Sequence, residues 1–178
     1  MANETGLLVR ALAFAAERHS RQRRKDVDAS PYINHPIALA NVLANEAGID
    51  DVEVLAAAVL HDTLEDTETT VADLDAAFGP RVSRIVLEVT DDKSLPKAVR
   101  KQLQIDLAPQ LSHEAKLVKL ADKICNLRDV ATTPPVGWPL ERRQAYFDWA
   151  RQVVDRMRGS HAVLEATFDA AYARRPAS

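Results

Sequence analysis

Residues 51–64, DVEVLAAAVLHDTL, constrain this chain more than any other stretch. The run is apolar almost all round, and a helix without a polar face has to lie at the centre of a fold with other elements packed about it. Neither this run nor any other approaches the ~20 apolar residues that a membrane span needs. Asp50 is placed to cap the helix, with Glu53 three residues on as a capping-box partner. At its far end stand His61 and Asp62, two ligand-type side chains set directly on a buried core.

The remainder of the 178 residues reads as further helices around that centre. The five glycines, Gly6, Gly48, Gly79, Gly137 and Gly159, each fall at a plausible helix boundary, with alanine and leucine abundant between them. Residues 7–19 carry apolar groups at helical spacing, and 20–32 form a polar, turn-rich loop. Pro36 suits the first turn of a helix running to about Ala47 and closed by Gly48. Thr70 is placed to cap a short helix ending near Phe78, and Pro80 opens the next. Residues 96–107, 113–130, 139–157 and 161–173 read as amphipathic helices. Nothing alternates with period two for long enough to make a sheet. The expectation is an all-α, compact multi-helix fold in one domain spanning residues 1–178, with TTPPVGWP as a rigid turn rather than a domain boundary. A chain near this length buries about 68–70% of its unfolded surface, enough for a real core.

The net charge of −3 offers no general attraction for nucleic acid or an anionic membrane, so affinity for a phosphorylated ligand has to come from local basic clusters and a metal. Cys125 is the one cysteine, which excludes an intrachain disulfide and suits a reducing cytosol. The opening MANETGLLVR lacks the cationic and apolar order of a signal peptide. These features predict a cytoplasmic protein whose partner is a small molecule.

His35 in NHP and Asp122 in KLADKICN join His61 and Asp62 as ligand-type side chains. The four together suggest one divalent metal held by two imidazoles and two carboxylates, a donor set that usually leaves positions for water and a substrate phosphate. Continued helicity stacks Glu65 and Asp66 beside His61 and Asp62. So many carboxylates repel one another unless a cation compensates, with Arg24 or Lys25 in support. Asp122 adjoins a wide apolar surface, where an unpaired carboxylate is costly, and it shares a helical face with Asn126. Taken alone, His35 reads as a capping or surface histidine and Arg24 as a solvated charge. His19, His113 and His161 read as surface or packing residues, Cys125 as a packed thiol, and Trp138, Phe147 and Trp149 as core or interface aromatics. Lys93 and Lys97 flank a loop that either reaches phosphates or is simply solvated.

The segments PYINHP, LHDTLED and KLVKLADKICNLRDV resemble the HD-type hydrolase domain of the RelA/SpoT proteins. RRKD, VTDDKSLPK and RRQAYFDWA narrow the likeness to the metazoan SpoT homologue group and the bacterial small alarmone hydrolases, over residues 7 to about 160. The resemblance implies hydrolysis of the 3′-pyrophosphate of guanosine tetra- and pentaphosphate (ppGpp and pppGpp) to GDP or GTP and pyrophosphate, with Mn²⁺ as the metal. It implies His35, His61, Asp62 and Asp122 as the ligands and Glu65 and Asp66 as the pair that orients and activates the attacking water. Arg24 would lie near the base, Lys25 near the phosphates, and Asn126 at the ribose and 3′-phosphate with Arg128 nearby. Tyr146 matches a pocket tyrosine. The chain ends before any synthetase or regulatory domain, so hydrolysis without synthesis is expected, and a homo-oligomer is open. The alternatives are an HD phosphohydrolase acting on another nucleotide, such as a nucleoside phosphate or the 2′-phosphate of NADPH, and a nucleotide-binding module without catalysis.

Overall fold

A computed structural model describes residues 3–177, and the elements it shows are helical. In chain order they are α1 (Glu4–Arg18), α2 (Asn34–Asn41) with a π-helical continuation at Val42–Glu46, α3 (Val52–Leu60), α4 (Thr63–Asp66), α5 (Val71–Phe78), α6 (Pro80–Val89), α7 (Lys97–Leu107), α8 (His113–Thr132), α9 (Leu140–Asp155) and α10 (Ala162–Tyr172). Among the described residues the only strand-like pairing is an isolated bridge between Arg23 and Pro31. The all-α expectation therefore holds.

The expected central helix is α3. Val54 to Leu60 are all buried, and α1, α2, α6 and α8 pack around them. Small residues permit the closest approach: Ala11 and Ala15 of α1 and Ala56, Ala57 and Ala58 of α3 are wholly removed from solvent. The same core continues through α8 to Phe147 of α9 and Phe168 of α10.

Three boundaries differ from expectation, the first being that α3 stops at Leu60 instead of running to Leu64, with a turn at His61–Asp62 before α4. Asp51, not Asp50, caps α3, accepting from the Glu53 and Val54 amides at 3.1 and 3.3 Å. Glu53 does not reach back to the cap, because Arg81 holds it at 2.8 Å while also binding Asp51 and Glu114. One guanidinium thereby ties the starts of α3 and α8 to α6. Gly6 lies inside the first turn of α1, not at its edge. The Asn3 side chain that caps this helix sits 2.7 Å from where a Cβ would stand, so a larger residue at position 6 would displace the cap. At α5 the expected cap is found, with Thr70 and Asp73 forming a reciprocal capping box.

Candidate metal centre and adjoining cleft

α3 delivers His61 at its C-terminal end. Its Nδ1 lies 2.8 Å from the Ala58 carbonyl, so the ring donates there and turns its Nε2 lone pair inward. The Thr63 hydroxyl donates to the Leu60 carbonyl at 2.7 Å, closing the turn that carries Asp62. α2 supplies His35 from its first turn and α8 supplies Asp122. His61 Nε2 is 2.9 Å from Asp62 Oδ2 and 4.0 Å from Asp122 Oδ1, and His35 Nε2 is 3.3 Å from that same Asp122 oxygen. Ligand atoms of His35, His61 and Asp62 all lie within 4.8 Å of one another.

These residues fit a divalent cation. His61 Nε2 is buried and, although 2.9 Å from Asp62 Oδ2, makes no hydrogen bond of good geometry there, which leaves its lone pair open to an occupant on the side where the carboxylates gather. Burial works against the charged form of Asp62, yet His61 and His35 hold its carboxyl well below the usual carboxylate range. Asp122 is likewise held low against burial, by Lys123 and His35. Burial lowers His35, whereas for His61 the nearby Asp62 and Asp122 outweigh burial and push the imidazole up to about 9. The carboxylates thus draw positive charge to Nε2, where a proton and a metal compete.

The carboxylates are held by Tyr32 and Lys123, which sequence reasoning missed, and by Asn126, which it placed on the face of Asp122. The Tyr32 hydroxyl donates to Asp62 Oδ2, and its ring lies in a row with His19, His35 and His61. Lys123, only 3% exposed, places Nζ 3.0 Å from Asp122 Oδ2 and 4.4 Å from the centre of the Trp149 ring. Asn126 donates to Asp122 Oδ1 at 2.6 Å, one turn along α8.

α4 carries the expected pair of carboxylates. Glu65 accepts from the Asp91 amide at 3.2 Å and lies 3.6 Å from Arg100, and burial followed by the charge on Asp62 raises its pKa. Asp66 faces the cleft, accepting from Gln22 at 2.9 Å and from Lys93. The loop between α1 and α2 forms one wall of this cleft, which has a volume of about 540 Å³ and reaches His35. Its size falls within the range of roughly 300–1,000 Å³ typical of small-molecule sites. Arg24, Lys25, Asn126 and Tyr146 all line it. Arg24 is paired with Asp129 at 2.5 Å and lies 5.8 Å from the Tyr32 ring centre. The Val136 amide donates to the Lys25 carbonyl at 2.8 Å, fastening the PPVGW turn to the same wall.

Arg128 is not brought to the cleft. It makes a two-pronged pair with Glu46 at 2.7 and 2.8 Å beside a separate, open part of the surface. Helix geometry explains the correction: at about 100° per residue, two steps from Asn126 turn Arg128 roughly to the opposite face. His19 is buried, His113 is exposed, and His161 caps α10 through its ring. Cys125 is buried and pushed up to about 12, chiefly by that burial, which removes it as a nucleophile.

Comparison with known proteins gives a consistent result. The HD-domain family model matches residues 11–145. The chain is 55% identical over 163 residues to guanosine-3′,5′-bis(diphosphate) 3′-pyrophosphohydrolase MESH1 of Danio rerio, covering 92% of this chain and 91% of that one. The protein of the same name from Homo sapiens is 54% identical over 165 residues, with 93% and 92% covered. Among solved structures, that of a metazoan ortholog of SpoT that hydrolyzes ppGpp and plays a role in starvation responses matches with a TM-score of 0.92. It is 49% identical and 95% of each chain is covered.

Proposed function

Because this chain belongs to the HD-domain family, and within it to the group of guanosine-3′,5′-bis(diphosphate) 3′-pyrophosphohydrolases, we propose that it hydrolyses the 3′-pyrophosphate of ppGpp and pppGpp. The products are GDP or GTP and intact pyrophosphate. The observation that carries this reading is the meeting of His35, His61, Asp62 and Asp122 at a cleft lined by Asp66, Arg24 and Lys25.

Those four residues would hold one divalent metal, which we take to be Mn²⁺. Bound there, the cation lowers the pKa of a coordinated water and offsets phosphate charge. The chain's own groups do the rest. Glu65, with its raised pKa, is suited to accept the proton of the attacking water, and Asp66, bound by Gln22, is suited to orient it. The bond broken joins the 3′-α-phosphorus to the ribose 3′-oxygen, so pyrophosphate leaves whole. Lys25 supplies positive charge at the phosphates. Arg24 offers a flat cation for the base, a role lysine performs less well. Asn126 serves the ribose and 3′-phosphate, and Tyr146 lines the same pocket.

No helix among the described residues is long and apolar enough to cross a membrane. The proposal is of a cytoplasmic hydrolase domain acting on a free nucleotide, with no nucleic acid or membrane as partner. Sedimentation measures whether it forms a homo-oligomer.

The test is phosphorus NMR of ppGpp incubated with the protein and Mn²⁺, beside Asp62→Ala and chelator controls. Metal-dependent release of GDP and pyrophosphate, lost in both controls, is expected. No turnover of ppGpp by a metal-loaded protein that cleaves the 2′-phosphate of NADPH or a nucleoside phosphate would overturn the substrate assignment.

A further inference from the structure

His19 has no part in the metal set and does not line the cleft, yet it is 2% exposed and its ring makes one hydrogen bond. Its Nδ1 lies 2.6 Å from Gln22 Oε1. At the other end of the same amide, Gln22 Nε2 donates to Asp66 Oδ2 at 2.9 Å. These contacts settle the direction of the chain. Asp66 Oδ2 accepts, so Gln22 turns its NH₂ toward Asp66 and its carbonyl toward His19, and that carbonyl can only accept. The proton of His19 is therefore on Nδ1, and a single file of donors runs from His19 through Gln22 to Asp66. His19 Nε2 is left buried and without a partner. Such an unpaired buried atom is uncommon in a folded protein, and it leaves the contact with Gln22 as the one hydrogen bond of the ring.

The other hold on Asp66 comes from a more exposed side chain. Lys93, which binds Oδ1, sits in the loop after α6 with its side chain 48% exposed. Gln22 is clamped between a buried ring and the carboxylate, and its backbone carbonyl also accepts from the Tyr32 amide at 3.2 Å. The arm that fixes where Asp66 points is the His19–Gln22 arm.

We propose that His19 is a positioning residue for the hydrolysis, acting through Gln22 to hold the Asp66 carboxylate toward the attacking water. This rests on the role given to Asp66 above.

Two substitutions separate the donor from the packing. His19→Phe keeps a flat ring against Tyr32, whose ring centre is 4.8 Å away, but removes the N–H. His19→Asn sacrifices the ring while its amide offers an N–H close to the position of Nδ1. Positioning predicts that His19→Phe lowers kcat about tenfold, in line with the loss of groups that orient catalytic ligands, with KM unchanged. His19→Asn should recover much of that loss although it packs worse. A packing role predicts the reverse order, and kcat of the Phe variant equal to or above that of the Asn variant overturns the proposal. Should both variants fail to fold, Gln22→Leu removes the link at its midpoint. A fall in its kcat of about tenfold is expected, and unchanged kcat refutes the inference. A readout independent of turnover is the long-range proton–nitrogen NMR spectrum of the wild-type imidazoles. His19 should appear as the Nδ1–H tautomer, and an Nδ1 without a proton sinks the donor chain. Wild-type inactivity on ppGpp, by contrast, strikes the substrate assignment and leaves the tautomer result to stand or fall by itself.

Discussion

Tyr32→Phe isolates one hydrogen bond at the metal centre. The phenol oxygen donates to Asp62 Oδ2, while the ring sits 4.8 Å from that of His19 and 6.0 Å from that of His35. Phenylalanine fills the same space, so the row of rings stays packed and only the donor is lost. A hydrogen bond to a charged group contributes about 1.5–3 kcal/mol. With tenfold in affinity for each 1.4 kcal/mol, the upper bound on the change in metal affinity is about a hundredfold or slightly more. Part of that energy is lost from the metal-free protein too, because Asp62 keeps its neighbour His61 at 2.9 Å in either case. The expected effect is therefore about tenfold weaker Mn²⁺ binding, at the lower end of the 10–100-fold range found when groups that orient metal ligands are removed. Calorimetric titration of chelator-stripped protein with Mn²⁺ reads this directly, with circular dichroism confirming that helix content is retained. An unchanged dissociation constant in a fully folded Tyr32→Phe protein would refute the claim that the hydroxyl fixes Asp62 for the metal.

Asp122→Asn abolishes turnover and also leaves the buried Lys123 ammonium without its carboxylate. Breaking one side of a buried pair costs about 3–5 kcal/mol. At about 2–4 °C for each kcal/mol, calorimetry should show the transition falling by roughly 6–20 °C, and adding Lys123→Met should restore stability but not activity. Chelation removes the metal's own contribution, about 2.7 kcal/mol at a hundredfold excess over Kd, and lowers Tm by roughly 5–11 °C. In the stripped protein His61 is raised from 6.5 to about 9. Its stabilisation is full below pH 6.5 and lost as pH climbs through 9, while metal affinity grows over the same interval because a proton no longer competes for Nε2. The Tm difference between loaded and stripped protein should widen from pH 6.5 to 9, and a constant difference contradicts the shared site. Arg128→Ala should leave kcat/KM untouched and cost no more than about 1 kcal/mol, the range of a half-exposed ion pair such as Arg128–Glu46. A tenfold fall in kcat/KM would return Arg128 to the cleft.

Which parts of this site are legible in the sequence follows from how each residue reaches it. His61 and Asp62 directly follow one helix whose apolar run announces its own burial, and Asp122 and Asn126 are set by the four-residue repeat of another. These are local relations, and a periodic pattern states them outright. Arg128 was legible as well, since the periodicity that joins Asn126 to Asp122 turns a residue two steps on away from them. The misplacement came from adjacency in a motif overriding geometry. Tyr32, Gln22 and Lys123 are of another kind. Gln22 meets a carboxylate 44 positions distant, Tyr32 one 30 positions distant, and nothing in a polar loop marks which of its side chains turns inward. Lys123 sits on a helix where charges at such spacing normally face water. Its burial depends on Trp149 of α9 closing over it, a contact that exists only once two helices have packed. The metal ligands are therefore written into single elements, whereas the groups that aim them are products of tertiary packing. Mutations at Tyr32, Gln22 and Lys123 should for that reason alter affinity, rate and stability while every recognisable motif stays intact.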